Sequence, residues 1–477
     1  MTSSNAQAGS ATKTPLPTIF AFGTVGLPLA GILLIFVVYL PRFYVGLGIS
    51  FILVGLAIPF VRLIDVLFDP LIALVMDRTK TPVGRYRPWL LLGAPIAMLG
   101  VYNVLMPPPH PAVTYLIVWL VVSYAGLSML NLAVAAWVAV LAKTYDERSR
   151  LFGWTQAMAV IGSISLLLLP KLTHNKVSAG LASSMPIITL ILVTALPLAV
   201  VICTVFTPER IAPTPRRPQF RFRDYWGAIS RPSILRITLA DFMLTLGPGT
   251  TGPLYVFFFH DAKGFTIPDV SLLLISYIGA GVAGAPFWAR VAHRVGKHRT
   301  VQIACVSYAI SLTILMAIPR VWPGYTFAQA LPTIVGMFAV GFVASAFLLL
   351  IRAMVADVAD EVKLEQNRDL TGLLYSMVTT TTKIGATIIL VAVFPVLQLV
   401  GYNGKEGAIN TPHAIFGLEM CYLFAPIILV FGGGAALIGY SLDARRHGAI
   451  RAALAEREAE VSIAAAEESL VGTPQRV

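Results

Sequence analysis

Charge is what this chain has least of. Asp, Glu, Lys and Arg make up 12% of its 477 residues, about half the share of an ordinary soluble domain. Hydrophobic residues make up 57%, and mean hydropathy is +0.79. That balance excludes a water-exposed globule and leads us to expect a polytopic membrane protein. Cysteine is scarce as well: Cys203, Cys305 and Cys421 all stand in apolar segments. The pattern indicates neither a disulfide framework nor a cysteine metal cluster, only small buried hydrophobes. The N-terminus, residues 1–15, is small and polar and lacks the apolar core and cleavage site of a signal peptide.

Long apolar runs are what is present. They fall at roughly 17–40, 45–76, 88–106, 113–142, 152–170, 184–206, 233–259, 268–289, 300–319, 326–356, 370–400 and 413–441. By length these are about twelve membrane helices, and an even number puts both termini on one side. If that side is cytoplasmic, the inner loops and tails hold 26 Lys and Arg and the outer loops 6. The positive-inside bias therefore places both termini in the cytoplasm, across a cell (inner) membrane. The net charge of +12 is then an orientation signal that favours membrane lipids as partners and not nucleic acid.

The expected fold is an all-α membrane protein. It comprises an N-tail 1–16, a six-helix half 17–206, a basic linker 207–232, a second six-helix half 233–441 and a C-tail 442–477. The linker is the one polar stretch long enough for that role, and it divides the spans six and six. The basic 2–3 loop finds a rough echo in Arg290, Arg294, Lys297 and Arg299 of the 8–9 loop. Such an echo suits a duplicated transporter half with its solute site between the halves. The tail over 443–468, rich in Ala, Glu and Arg, reads as a surface helix.

The chain is organised around Arg62-Leu-Ile-Asp65-Val-Leu-Phe-Asp69-Pro70, followed by Met76-Asp77-Arg78-Thr79-Lys80 and Gly84-Arg85-Tyr86-Arg87-Pro88. Asp65 and Asp69 lie inside the second run, four residues apart and so on one helix face. Carboxylates at that depth are costly and mark function, as a small hard-cation site or a proton relay. Arg62, one turn earlier, is a candidate neutralising partner. Lys383 lies well inside run eleven and needs a carboxylate or a solute oxygen. Arg352, Asp357, Asp360 and Glu361 stand at the inner end of run ten, and Asp241 near the start of run seven. Their depth suits a cytoplasmic gate paired with Arg148, Arg85 or Arg87, and Asp77 is given the same role. Among the aromatics, Trp137 and Tyr375 are the preferred solute contacts because they lie on polar helices.

The D-x-x-x-D-P element and the following D-R-T-x-T-x-x-G-R-x-R-P-W resemble the glycoside–pentoside–hexuronide:cation symporters of the major facilitator superfamily. The loop Asp146-Glu147-Arg148 through Leu151 and the Arg368, Gly372, Ser376, Lys383 series extend the likeness. The resemblance implies alternating access between two six-helix halves. It also implies symport of a glycoside, uronide or similar solute driven by Na⁺ or H⁺, with no bound cofactor and with a monomer as the expected unit. It assigns Asp65 and Asp69 to the coupling cation, with Asn131 and Ser128 as neutral oxygen ligands, and Lys383 to coupling. Asn131 stands where the melibiose carrier has an aspartate, and Gln156 where it has a sugar-binding arginine. The Thr24 region lacks that carrier's Lys-Asp pair. These departures take away the basis for galactoside recognition and leave a lipid-like or other non-sugar solute as the alternative. A different class, a Mg²⁺-dependent intramembrane prenyltransferase, would read Asp65/Asp69 and Asp357/Asp360 as diphosphate-binding motifs. The basic loops and the six-plus-six division weigh against it, so no enzyme activity is expected.

Overall fold

A backbone that crosses lipid must pair its own N–H and C=O groups, and a helix does so within one segment. The computed structural model obeys that rule. Its described residues form helices joined by turns, with one isolated bridge between Thr81 and Gly84. The structure describes residues 15–79, 81–142, 145–173, 181–209, 232–366, 371–405, 407–440, 442 and 444–471.

In chain order the helices are α1 (Leu16–Gly46), α2 (Phe51–Arg78), α3 (Arg87–Leu105), α4 (Val113–Leu141), α5 (Tyr145–Thr173) and α6 (Leu181–Phe206). After residues outside the described set, which include most of the expected linker, come α7 (Pro232–Phe257), α8 (Ile267–Val295), α9 (Lys297–Ala317), α10 (Phe327–Gln366), α11 (Thr371–Leu399) and α12 (Pro412–Ala436). A final helix, α13 (Ala444–Val471), matches the expected tail helix. Eleven of these are long and apolar enough to cross a membrane. The twelfth, α7, has comparable length, but Gly247-Pro-Gly-Thr-Thr-Gly-Pro253 dilutes its hydropathy. The run expected to end near 356 continues as helix to Gln366. At 40 residues, α10 is about 60 Å long, twice the hydrocarbon thickness, so its end projects from the bundle.

The packing map repeats. In the first six helices α1 packs on α5 and α6, α2 on α4, and α3 on α4 and α6. In the second six α7 packs on α11 and α12, α8 on α10, and α9 on α10 and α12. The two sets meet along α2 with α11 and along α5 with α8, which exchange under the same correspondence. This is the pseudo-twofold pattern of a duplicated bundle. Close approach of α2 to α11 depends on Gly55, where a Cβ would lie 2.6 Å from the Phe394 side chain. Helix α1 carries a π-helical turn at Ile35–Tyr39, and its equivalent α7 runs on into one at Phe258–Ala262. Such turns re-aim side chains and recur at functional positions.

Candidate functional site

The α2 face that carries Asp65 and Asp69 meets α11, and Lys383 reaches across that seam to both. Its Nζ donates to Asp65 Oδ2 at 3.0 Å and pairs with Asp69 Oδ2. Ser128 of α4 donates to the other Asp65 oxygen, Oδ1, at 2.5 Å. Asp65 is 3% exposed. Asp69 Oδ1 is buried and meets no donor among the described residues. Two carboxylates share one ammonium, so the cluster keeps one unit of negative charge and one unsatisfied oxygen. A buried acceptor of that kind suits a small hard cation or a proton. Arg62 stands one turn away with its guanidinium 4.6 Å from the centre of the Tyr124 ring. Lys383, not Arg62, is thus the counter-ion the carboxylates hold.

Beside this cluster the two halves enclose a chamber. One part, of about 150 Å³, is bounded by Phe36 and Val37 of α1, Pro59 and Arg62 of α2, Thr245 of α7 and Thr382 of α11. A second part, of about 280 Å³, runs on past Val37 and Gly249 to Tyr255, Tyr277, Met337 and Tyr422. Together they fall in the lower part of the roughly 300–1,000 Å³ typical of small-molecule sites.

The end of the bundle away from the termini is closed over the chamber. Arg42 of α1 and Asp261 of the π turn after α7 form a two-pronged ion pair, with Nη2 to Oδ1 at 2.9 Å. Tyr402 donates to the same carboxylate, and His260 Nδ1 lies 2.7 Å from Asp261 Oδ1. Burial and the Asp261 charge push the Tyr402 phenol up, so it stays a donor. Arg42 also caps the Phe257 ring at 5.0 Å, within a cluster of Phe51, Phe257, Phe394 and Tyr402. A further pair, Lys171 to Asp269 at 3.1 Å, and the buried Tyr39–Ser271 bond at 2.7 Å join the halves at this end.

Twelve long helices in two matching sets, with a charge cluster and a chamber between them, are an arrangement for moving solutes. Residues 20–444 match the MFS/sugar transport protein family. The chain belongs to that family. It is 26% identical to the isoprimeverose transporter of Lactiplantibacillus pentosus over 85% of this chain and 84% of that one. It is 22% identical to the uncharacterized symporter YnaJ of Bacillus subtilis (strain 168) over 86% and 88%. Its fold matches the crystal structure of the nucleoside transporter NupG with a TM-score of 0.64, at 12% identity, over 89% of this chain and 98% of that one. The symporter-like resemblance read from the sequence is thereby shown, and so are a multi-pass membrane transporter of sugar-like small molecules and the absence of an enzyme's role.

The remaining expected site residues are distributed around this transporter as follows. Asn131 lies one turn beyond Ser128 but donates to its own helix at Leu127 O, 2.9 Å, and not to the carboxylates. Gln156 is exposed, without a partner among the described residues. Thr24 donates to Ala21 O and lies 3.3 Å from Ala199 O, which ties α1 to α6. Trp137 is wholly enclosed, edge-on to Phe22 and 5.9 Å from the Arg87 guanidinium, so it packs the first half and does not face the chamber. The side chains of Asp77, Arg148 and Tyr375 lie outside the described residues.

Among the described residues, the carboxylates expected to form a gate have these partners. Asp357 pairs with Lys297 at 2.6 Å and His447 at 3.4 Å, Asp360 with His447 at 3.2 Å, and Glu361 with Arg446 at 2.9 Å. These carboxylates thus hold the tail helix α13 and the start of α9, because α10 projects past the bundle. Asp241 accepts from Thr382 at 3.2 Å and lies in the field of Arg352, all within the second half. Arg85 belongs to the loop after α2 and Arg87 opens α3, and nothing in the sequence pointed to what holds that loop. Glu209, just past α6, accepts from the backbone N–H groups of Arg85, Tyr86 and Arg87 at 2.5, 2.8 and 3.2 Å. Gly84 makes room for it: its φ is +128°, and a Cβ there would lie 2.1 Å from the Glu209 carboxylate. Trp89 Nε1 donates to Thr79 at 3.1 Å, so the motif's Thr, Gly and Trp all serve the loop's shape. Arg42, Asp261 and Tyr402 were missed too. The only signal for the first two was a charge placed just where an apolar run ends.

Proposed function

We propose that the protein is a cation-coupled symporter that carries a sugar-like solute by alternating access, with Na⁺ or H⁺ as the coupling ion. The observation that supports this best is Lys383, which spans the seam between the halves to share two carboxylates while Asp69 Oδ1 stays unsatisfied. A cation or proton arriving at Asp69 competes with Lys383 for the charge of the same carboxylate and loosens α2 from α11, the seam the halves must shift along. The solute chamber is bounded by the same two helices. Ion and solute therefore act on one seam, and each raises the other's affinity. In this conformation the Arg42–Asp261 pair shuts the outer end, and it must open for the opposite state. The positive charge of the inner loops supports a reading with both termini in the cytoplasm and the protein in the inner membrane, and a monomer is the unit we propose.

The test is uptake into proteoliposomes. Labelled isoprimeverose and related glycosides are offered under an imposed sodium or proton gradient, with wild type and Asp69→Asn side by side. Accumulation against a concentration gradient in wild type, reduced to passive equilibration in Asp69→Asn, is the expected result. Accumulation that survives the substitution would remove Asp69 from coupling.

A further inference from the structure

Away from the seam and the chamber, charged side chains gather where the inner end of α10 meets α13. We propose that α13 is a pH-sensitive strap on the second half, fastened when His447 is charged and slack when His447 is neutral. Helix α13 packs against α10 through a short face. Among the described residues it buries Ile450 and Leu454, and His447 lies one turn before Ile450 on the same face. Hydrophobic stabilisation scales with the apolar area removed from water, so two side chains hold α13 weakly and charge decides how firmly it docks.

Three carboxylates of α10 face this junction, and each is held differently. Asp357 takes Lys297 Nζ at 2.6 and 2.8 Å and His447 Nε2 at 3.4 Å. Glu361 pairs with Arg446 at 2.9 Å. Asp360 meets His447 Nε2 at 3.2 Å, and Arg451 stands 3.8 Å from it with a side chain 68% exposed. A charged His447 therefore bridges two carboxylates three residues apart on α10 and ties α13 to both. A neutral His447 leaves Asp360 to a solvated arginine, a pairing worth little. It leaves Asp357 to Lys297, which belongs to α9 and does not hold α13. The Glu361–Arg446 pair keeps its charge throughout, so the strap slackens and stays attached at one point.

Imidazole is the side chain that changes charge near neutrality, with an ordinary pKa of about 6.5. The other groups around His447 are Lys297 of α9, Asp357, Asp360 and Glu361 of α10, and Arg446 and Arg451 of α13 itself. Lysine, arginine and carboxylates ordinarily titrate well outside that range. Burial and the charges of Asp357 and Glu361 push the Tyr440 phenol up, so Tyr440 stays neutral there. A second imidazole, His298, lies 6.3 Å from the Tyr440 ring and serves as the control. The bridging form of His447 is the charged one, so the strap is tight at low pH and slackens as pH rises through the imidazole range. Slackening frees the inner end of α10, and the same helix borders the chamber through Met337 and Val340. The tail thus relays to the second half the pH on the side of the membrane where α13 lies.

The experiment measures hydrogen exchange over 444–460 of α13 in the purified full chain in lipid nanodiscs. It compares about pH 6 with about pH 8, on either side of the ordinary imidazole pKa, and divides each rate by the intrinsic rate at that pH. Protection in wild type is expected to fall about tenfold between the two. His447→Gln is expected to show the low protection at both pH values. His447→Arg, which keeps a charge against Asp357 and Asp360, is expected to show the high protection at both. His298→Gln is expected to keep the wild-type dependence. All three variants are expected to melt with wild type, because His447 and His298 lie at the margin of the bundle, and that comparison separates a slack strap from a misfolded protein. Equal protection of wild type at the two pH values overturns the proposal. So does a pH dependence that survives in His447→Gln, or one that His298→Gln abolishes.

Discussion

Removing the ammonium of Lys383 tests the seam between the halves directly. In wild type the Asp65 side chain is 4% exposed, Asp69 23% and Lys383 27%, with Nζ 3.0 Å from Asp65 Oδ2. At that distance one charge pair is worth roughly 5 kcal/mol at an effective dielectric of about 20, before the cost of desolvating the three groups. Lys383→Met leaves two like charges facing each other without a counter-ion, and breaking a buried pair in this way costs about 3–5 kcal/mol. For a chain of this length, the usual unfolding entropy of about 2.1 cal/mol/K per residue turns that into a fall in melting temperature of roughly 3–5 °C. Adding Asp69→Asn removes one of the stranded charges, so the double variant is expected to recover about 1–3 kcal/mol of the loss. Intrinsic fluorescence melting of the purified protein in one lipid or detergent reads all four members of the cycle. A Lys383→Met variant as stable as wild type, or a double variant less stable than Lys383→Met, would refute the assignment of Lys383 as the shared counter-ion.

Other parts of the structure give further tests. Arg42→Ala breaks the outer closure, so Val37→Cys, in a background free of Cys203, Cys305 and Cys421, is expected to react several-fold faster with a membrane-impermeant maleimide; an unchanged rate would mean the Arg42–Asp261 pair does not close that end. Glu209→Ala strands three backbone N–H groups, and each unmet buried donor costs about 1–3 kcal/mol, so limited proteolysis is expected to cut faster within 79–87, with Glu209→Gln intermediate. Ser128→Ala removes a hydrogen bond to a charged oxygen, worth about 1.5–3 kcal/mol; the apparent affinity for the coupling ion is expected to fall about tenfold or more in a cation titration. Reversing Arg446 and Arg451, which pair with Glu361 and Asp360, to Glu is expected to free α13, seen as faster hydrogen exchange over 444–460, while the melting of the rest is little changed.

Much of the architecture was legible in the sequence, because lipid leaves a chain few options. Apolar length gives helices, and an ionisable residue inside a span is too costly to be incidental. Asp65, Asp69, Ser128 and Lys383 could be singled out on those grounds together with the family motif, and the structure brings them into one cluster. What the sequence did not carry is the phase and partner of each side chain. Ser128 and Asn131 are three residues apart, yet only Ser128 reaches Asp65. Trp137 looked like a solute contact because it lies on a polar helix, but its ring points into the first half. The acidic end of α10 suited a gate between halves, yet a helix that overshoots the bundle by several turns offers its carboxylates to α13. Arg42 with Asp261, and Glu209 with the loop after α2, are separated by more than 100 residues. Contacts of that kind follow from the way the bundle closes and leave no local pattern.

The most direct test of the central claim, that the Asp65–Asp69 pair is the coupling site, is the melting temperature of the purified protein against Na⁺, Li⁺ and pH, in wild type and Asp69→Asn. A ligand that binds only the folded state raises that temperature as its concentration grows. The account predicts a rise with one alkali cation, or a dependence on pH, that is present in wild type and absent in Asp69→Asn. A wild type indifferent to every cation and to pH, or a response that Asp69→Asn leaves intact, would contradict it.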